Sequence, residues 1–311
     1  MRTAFIETLC ELASEQDDIV LMCGDLGFSV LERFAERFPN RYINAGVAEQ
    51  NMTGMAAGMA LTGKVVITYS IANFAVLRCL EQFRNDACYH NAPVIVVSVG
   101  TGTAYGSQGY THHGIEDVAI TRTLPNVAVV SPGDPEEVRW ALRELVKRRG
   151  PANLRLGRGG EPAVHAAGSL KGALDKAIIL SPPGRDVTLL GMGGALLEAV
   201  AARERLQALG IDTGLVSAPS IMPFDTDFVA QAARGSRLLE TVEENMTEGG
   251  LGSAVSEVVA EMAGARATVI RAGILRNGAK TAADQKETRR INGFDADGLV
   301  RRVESALPKA R

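Results

Sequence analysis

The sequence has 311 residues, 46% of them hydrophobic and 22% charged, with a formal net charge of −3 at pH 7. That length is more than one core usually fills, so two domains are expected, and the composition is that of a globular chain. Acids and bases are mixed along the chain; there is no basic block to hold nucleic acid and no apolar run long enough to cross a bilayer. The first 18 residues are amphipathic and acidic and do not read as a signal peptide, while Cys10, Cys23, Cys79 and Cys88 show neither a CxxC pair nor metal-ligand spacing. Buried thiols in a cytoplasmic protein are the expectation.

In chain order, short apolar runs alternate with amphipathic stretches. Strands are predicted at Ile19–Cys23, Val65–Thr68, Val94–Val99, Val127–Val130 and Asn153–Leu156. Helices are predicted at Ala4–Ser14, Val30–Phe38, Ala48–Leu61, Val76–Tyr89 and Pro135–Lys147. Apolar runs separated by helices predict a parallel sheet covered on both faces. This first domain is expected over 1–165. A Gly-, Pro- and Ser-containing stretch over 166–184 reads as a linker. The pattern resumes over 185–311 with strands at Val187–Leu190, Ile211–Val216, Arg237–Val242 and Thr268–Ile270, and helices at Ala195–Leu209, Phe228–Arg234 and Gly252–Met262. That is a second, smaller α/β domain.

The segment NAGVAEQNMTGMAAGMA, residues 44–60, sets one carboxylate, Glu49, at the head of a helix of Gly, Ala and Met. A carboxylate in the first helical turn is favoured by the free N–H groups there. Gly54 and Gly58, four apart, leave one face almost bare; glycine inside a helix costs about 1 kcal/mol, so a close neighbour is expected on that face. A carboxylate beside a small-residue surface suits proton exchange. After the strand ending at Val99, the loop VGTGTAYGSQGYTHHGIEDVA lies where open α/β sheets place ligands. Adjacent His112 and His113 point in different directions and make a poor metal pair. In CGDLGFSV, Asp25 and Ser29 are suited to capping the next helix; the spacing is not that of a phosphate loop. Phe74 and Arg78, four apart, share a predicted helical flank.

Together GVAEQNMTGMAAGMAL, YGSQGYTHHGIEDVA and VEENMTEGGLGSAV resemble the C-terminal half of transketolase, over roughly the whole chain. The resemblance implies a pyrimidine-type, parallel-sheet thiamine-diphosphate fold domain followed by a transketolase C-terminal domain. It implies that Glu49 hydrogen-bonds N1′ of the cofactor's aminopyrimidine and favours its imino tautomer, so that a two-carbon ketol unit passes from a ketose to an aldehyde. Phe74 would stack on the pyrimidine, with Ile71, Asp25 and Arg78 close to the cofactor. Arg2, Ser29 and Arg158 fall on positions that bind substrate phosphate, a chemistry suited to guanidinium groups. His112 would contact substrate hydroxyls.

The chain contains no GDG motif of the kind that holds Mg²⁺ and the diphosphate, and no metal ligands are expected in it. The expectation is therefore the small subunit of a split transketolase. A separate N-terminal subunit would carry most of the contacts to thiamine diphosphate and Mg²⁺, in an α2β2 assembly. Two positions depart from the usual pattern: Gly100 stands where transketolases have a histidine, and Gln108 where they have an aspartate that reads a sugar hydroxyl. Altered polar lining predicts an altered sugar substrate, phosphorylated or otherwise unusual. Alternative readings are a deoxyxylulose phosphate synthase-like subunit, a 2-oxoacid dehydrogenase E1 β-type subunit, or a non-catalytic scaffold partner.

Overall fold

The computed structural model describes residues 1–277 and 282–307. The strands are β1 (Ile19–Cys23), β2 (Tyr42–Asn44), β3 (Val65–Ile71), β4 (Val94–Val99), β5 (Ala128–Val130), β6 (Ala152–Leu156), β7 (Ile178–Ser181), β8 (Val187–Gly191), β9 (Thr213–Ser217), β10 (Ser220–Met222), β11 (Leu238–Met246) and β12 (Thr268–Ile274). The helices of the first half are α1 (Arg2–Glu15), α2 (Glu32–Arg37), α3 (Glu49–Leu61), α4 (Ala72–Val76), α5 (Leu80–Gln82), α6 (Asp117–Thr121) and α7 (Pro135–Arg148). Those of the second half are α8 (Leu196–Ala208), α9 (Thr226–Gly235), α10 (Leu251–Glu261), α11 (Gln285–Asn292) and α12 (Ala296–Ala306). No described helix is long and apolar enough to cross a membrane.

The first sheet has the order β10-β5-β6-β4-β3-β1-β2, and all its pairings are parallel except β10 on β5. Its central strands are buried along their full length, which is why they read as continuous apolar runs. The second sheet has the order β12-β11-β8-β9-β7. Two strands cross the expected boundaries. β10 leaves the second half to pair antiparallel with β5 at the edge of the first sheet. β7 lies inside the stretch 166–184 expected to be linker, yet it pairs antiparallel with β9; it is too short and too exposed to show the usual alternation.

The predicted helix Val76–Tyr89 is not one element. The chain makes α4, turns through Leu77–Cys79, makes α5, and continues as a π-helical turn over Phe83–Cys88. Such wide turns gather at functional sites. Asp25 and Ser29 do not cap α2: both have left-handed backbones, φ 54° and 62°, and it is the Ser29 N–H that donates to Glu32 Oε1 at 2.7 Å. The missed helices α11 and α12 each begin at an aspartate N-cap, Asp284 and Asp295, whose side chains accept from Glu287 N and Gly298 N.

Buried ion pairs fasten the long loop after β4 to the rest of the molecule. Arg155, on β6, donates to both oxygens of Asp117 at 2.7 and 3.1 Å and also to the Gly114 carbonyl. Glu244, on β11, accepts from the Thr103 N–H and hydroxyl at 2.8 and 2.7 Å and from Arg289 Nη2 at 2.5 Å. The second sheet thus holds the first part of the loop through a carboxylate of its own. Burial pushes the Glu244 carboxyl up, but Arg289 and the Thr103 donors outweigh it and hold it below the ordinary glutamate range.

Candidate active site

The C-terminal ends of the parallel strands gather the candidate residues. Cys23 leads into Asp25, Asn44 into Glu49, Ile71 into Phe74, Val99 into the histidine loop, and Leu156 into Arg158. A parallel sheet presents loops of successive strands on one edge, so residues far apart in sequence meet there.

Glu49 is the first residue of α3 and is 1% exposed. Its Oε2 accepts from Arg78 Nη1 at 2.8 Å and its Oε1 from the Ser70 hydroxyl at 3.4 Å. Gly24 makes room for it: a β-carbon there would come within 3.3 Å of Glu49 Cγ. The Arg78 guanidinium lies 4.3 Å from the centre of the Phe74 ring. On another side, His112 meets Phe74 edge-on with ring centres 5.5 Å apart. Asn73 Nδ2 donates to the Thr111 carbonyl at 2.7 Å, tying α4 to the histidine loop. Glu49, Arg78, Phe74 and His112 therefore form one continuous group, with its acid buried and its aromatic ring half-exposed.

The two histidines separate as expected from their adjacency. His112 is half-buried beside Phe74; His113 is buried, its Nε2 3.4 Å from the Gly106 carbonyl oxygen. Ile71 ends β3 and is half-buried just before α4. Asp25 is exposed and is held by Asn44, whose Nδ2 donates to Asp25 Oδ1 at 2.9 Å and whose Oδ1 accepts the Asp25 N–H at 3.1 Å.

The residues assigned to phosphate sit elsewhere on the same edge. A β-carbon at Gly159 would lie 3.5 Å from Arg2 Nε, so the Arg2 side chain runs against the loop that carries Arg158. Arg2 Nε and the nearby Tyr69 hydroxyl are buried without hydrogen-bond partners. Arg158 is exposed, 5.8 Å from the Tyr105 ring centre, and lines a cleft of about 470 Å³ between the two halves. Ser29 is exposed on a separate hollow with Thr3 and Ile6 of α1. Gln108 is exposed in a tight turn before the histidines. No hydrogen bond or ion pair among the described residues joins Arg2, Ser29, Arg158 or Gln108 to Glu49.

Gly100 has a reason of its own. Its φ is +71°, and a β-carbon there would lie 2.0 Å from the Tyr105 ring. The tyrosine fills the space a side chain would need. The neighbour expected on the small-residue face of α3 does not come from the described residues of this chain: Gly58 has nothing within 4 Å of its would-be β-carbon, and Gly54 has Asp86 Oδ2 at 3.8 Å.

Sequence reasoning missed Ser70, Gly24 and Asn73 as supports of the group. Gly24 carried a signal, since a glycine directly after a strand permits close approach. Asp134, Glu137 and His165 lie close enough to hold a metal ion, at the start of α7 and in the stretch after β6, outside the Glu49 group. Asp134 already caps α7, accepting from Glu137 N at 2.8 Å, and Glu137 Oε2 accepts the Gly133 N–H at 2.6 Å.

The fold and this group define a two-domain α/β chain that offers a buried acid and an aromatic face at one sheet edge. The chain matches the family model described as the transketolase pyrimidine binding domain over residues 1–161, and the transketolase C-terminal domain over 175–297. It is 36% identical over 269 residues to one subunit of an apulose-4-phosphate transketolase of Actinobacillus succinogenes, covering 86% of this chain and 85% of that one. It is 34% identical over 319 residues to a putative transketolase C-terminal section of Methanocaldococcus jannaschii, covering 99% and 96%. Among solved structures, a split-gene transketolase described as an inactive β4 tetramer superposes with a TM-score of 0.90 at 33% identity, covering 98% of this chain and 97% of that one. The chain belongs to the transketolase family, as its C-terminal section.

Proposed function

We propose that the chain is the C-terminal subunit of a split, thiamine-diphosphate-dependent transketolase, active with a separate N-terminal subunit in an α2β2 assembly. The observation that carries this is the Glu49 group: a carboxylate 1% exposed, opening on a half-exposed aromatic ring, in a chain of this family. The residues fit the pyrimidine half of the cofactor. Glu49 supplies a hydrogen-bonding carboxylate at fixed depth, held by Ser70 and by the space Gly24 leaves. Phe74 supplies a flat face for stacking. Bound thiamine diphosphate supplies the carbanion chemistry that a ketol transfer requires. This chain's work is to hold the ring, to keep an acid at its N1′ atom, and to present His112 toward substrate hydroxyls.

The diphosphate and Mg²⁺ are assigned to the partner subunit. Arg2, which runs against the loop that carries Arg158, and Arg158 itself suit the substrate's phosphate. Gly100 and Gln108 favour a ketose outside the usual pentose phosphates, in keeping with relatives named for apulose 4-phosphate. Co-expression with the complementary subunit, followed by a screen of ketose phosphates against aldehyde acceptors, tests the reading. Ketol transfer is expected. Carbon dioxide release from a 2-oxoacid without ketol transfer would assign the chain to the 2-oxoacid dehydrogenase or deoxyxylulose phosphate synthase type instead. Full turnover by a Glu49→Ala complex would leave it a scaffold.

A further inference from the structure

Arg78 makes, at one time, two contacts of different kinds. Nη1 donates to Glu49 Oε2 at 2.8 Å, and the guanidinium carbon lies 4.3 Å from the centre of the Phe74 ring. A planar, delocalised group thus places an N–H on the buried carboxylate and its central carbon over the aromatic ring. An aminopyrimidine is also planar, with a hydrogen-bonding edge and a π face. The two contacts assigned above to the cofactor's ring are the two that Arg78 already makes.

Arg78 is also the movable member of its pair. Its side chain is 43% exposed against 1% for Glu49. It belongs neither to α4 nor to α5 but to the turn between them, just before the wide π-helical turn. Among the described residues its one salt bridge is to Glu49. The acid is enclosed, whereas the guanidinium can swing outward into solvent on a flexible stem.

We infer that Arg78 is a built-in stand-in for the aminopyrimidine. It compensates the buried carboxylate and covers the aromatic face until a ring docks, and it must then leave Phe74. The inference rests on the reading of Glu49 and Phe74 as the pyrimidine seat. Its consequence is competition: a ligand that needs a minor conformation binds more weakly by the fraction of time that conformation is populated. A seat filled by Arg78 about ten times as often as it is open weakens the cofactor about tenfold.

The test is calorimetric titration of thiamine diphosphate into the chain paired with its complementary subunit, as wild type, Arg78→Gln, Arg78→Lys, Glu49→Gln and the Arg78→Gln/Glu49→Gln double variant. Arg78→Gln is expected to lower the cofactor's Kd about tenfold. Arg78→Lys, which keeps the charge and loses the planar face, should fall between it and wild type, and it serves alone if the glutamine variant does not fold. The gain from Arg78→Gln should vanish in the Glu49→Gln background, because the arginine is then no longer held. Weaker cofactor binding by Arg78→Gln would make Arg78 a cofactor ligand and overturn the inference, as would an unchanged Kd. The underlying reading fails by a different result: equal affinity in Arg78→Gln and the double variant, where no arginine competes for the seat.

Discussion

Replacing Glu244 with alanine tests how the second domain supports the loop that carries His112. Glu244 sits on β11, 6% exposed, and receives the Thr103 N–H and hydroxyl, the Gln285 amide and the Arg289 guanidinium. Arg289 is 9% exposed, and its other acidic partner is Glu198 at 3.1 Å. Removing one member of a buried pair leaves the other charge uncompensated, at about 3–5 kcal/mol. Glu198, 23% exposed on its side chain, recovers part of that for Arg289. The Thr103 N–H is also orphaned, at about 1–3 kcal/mol. A net loss of about 4 kcal/mol follows. Urea unfolding at pH 7, read by far-UV circular dichroism, measures it. The folded pKa of Glu244 lies below its ordinary value, so its contribution is present above that value and is lost as pH falls through the folded one. The difference between wild type and Glu244→Ala should therefore shrink in acid. A loss below about 1 kcal/mol, or a difference that grows on acidification, would refute the claim that this carboxylate anchors the loop.

Other outcomes follow from single contacts. Glu240 is fully buried on β11, and burial pushes its carboxyl up to about 8, against a smaller opposing pull from Arg302. Its stabilising effect is whole below the ordinary glutamate pKa and is lost as pH rises through about 8, on the order of 5 kcal/mol across that window; Glu240→Gln should flatten the fall in melting temperature between pH 5 and 8, and an unchanged slope would contradict this. Gly100→Ala forces a left-handed alanine into the Tyr105 ring and should cost about 2–3 kcal/mol in denaturant unfolding, with Tyr105→Ala restoring the part due to overlap. Gly24→Ala should leave the fold intact but displace Glu49, weakening thiamine diphosphate about tenfold in titrations of the assembled complex; an unchanged affinity would show that Glu49 has room to spare.

Much of the first domain was legible because its central strands are buried on both faces and α7 carries a clear apolar period. Glu49 and His112 stood out for a similar reason, since each is a polar residue in a segment otherwise too small or too glycine-rich to need one. A four-residue spacing placed Phe74 and Arg78 on one flank, where they do meet, although the helix that spacing presumed breaks between them. Local pattern does not record a wide turn, whose hydrogen bonds differ while its residues do not. Nor does charge pattern show burial: Arg155, Glu244 and Arg289 look like surface residues in sequence and become interior ties only when loop, sheet and second domain meet. β10 escaped notice because its three residues gain their partner from the other domain.

The measurement closest to the centre of this account is the exchange of the C2 proton of thiamine diphosphate for deuterium, followed by NMR on the assembled complex with wild-type chain and with Glu49→Gln. A carboxylate that serves the aminopyrimidine predicts slowing by about a hundredfold or more in the variant, with the cofactor still held through the partner's contacts. Equal exchange rates would mean that Glu49 is a structural acid paired to Arg78 and that the chemistry of this chain lies elsewhere.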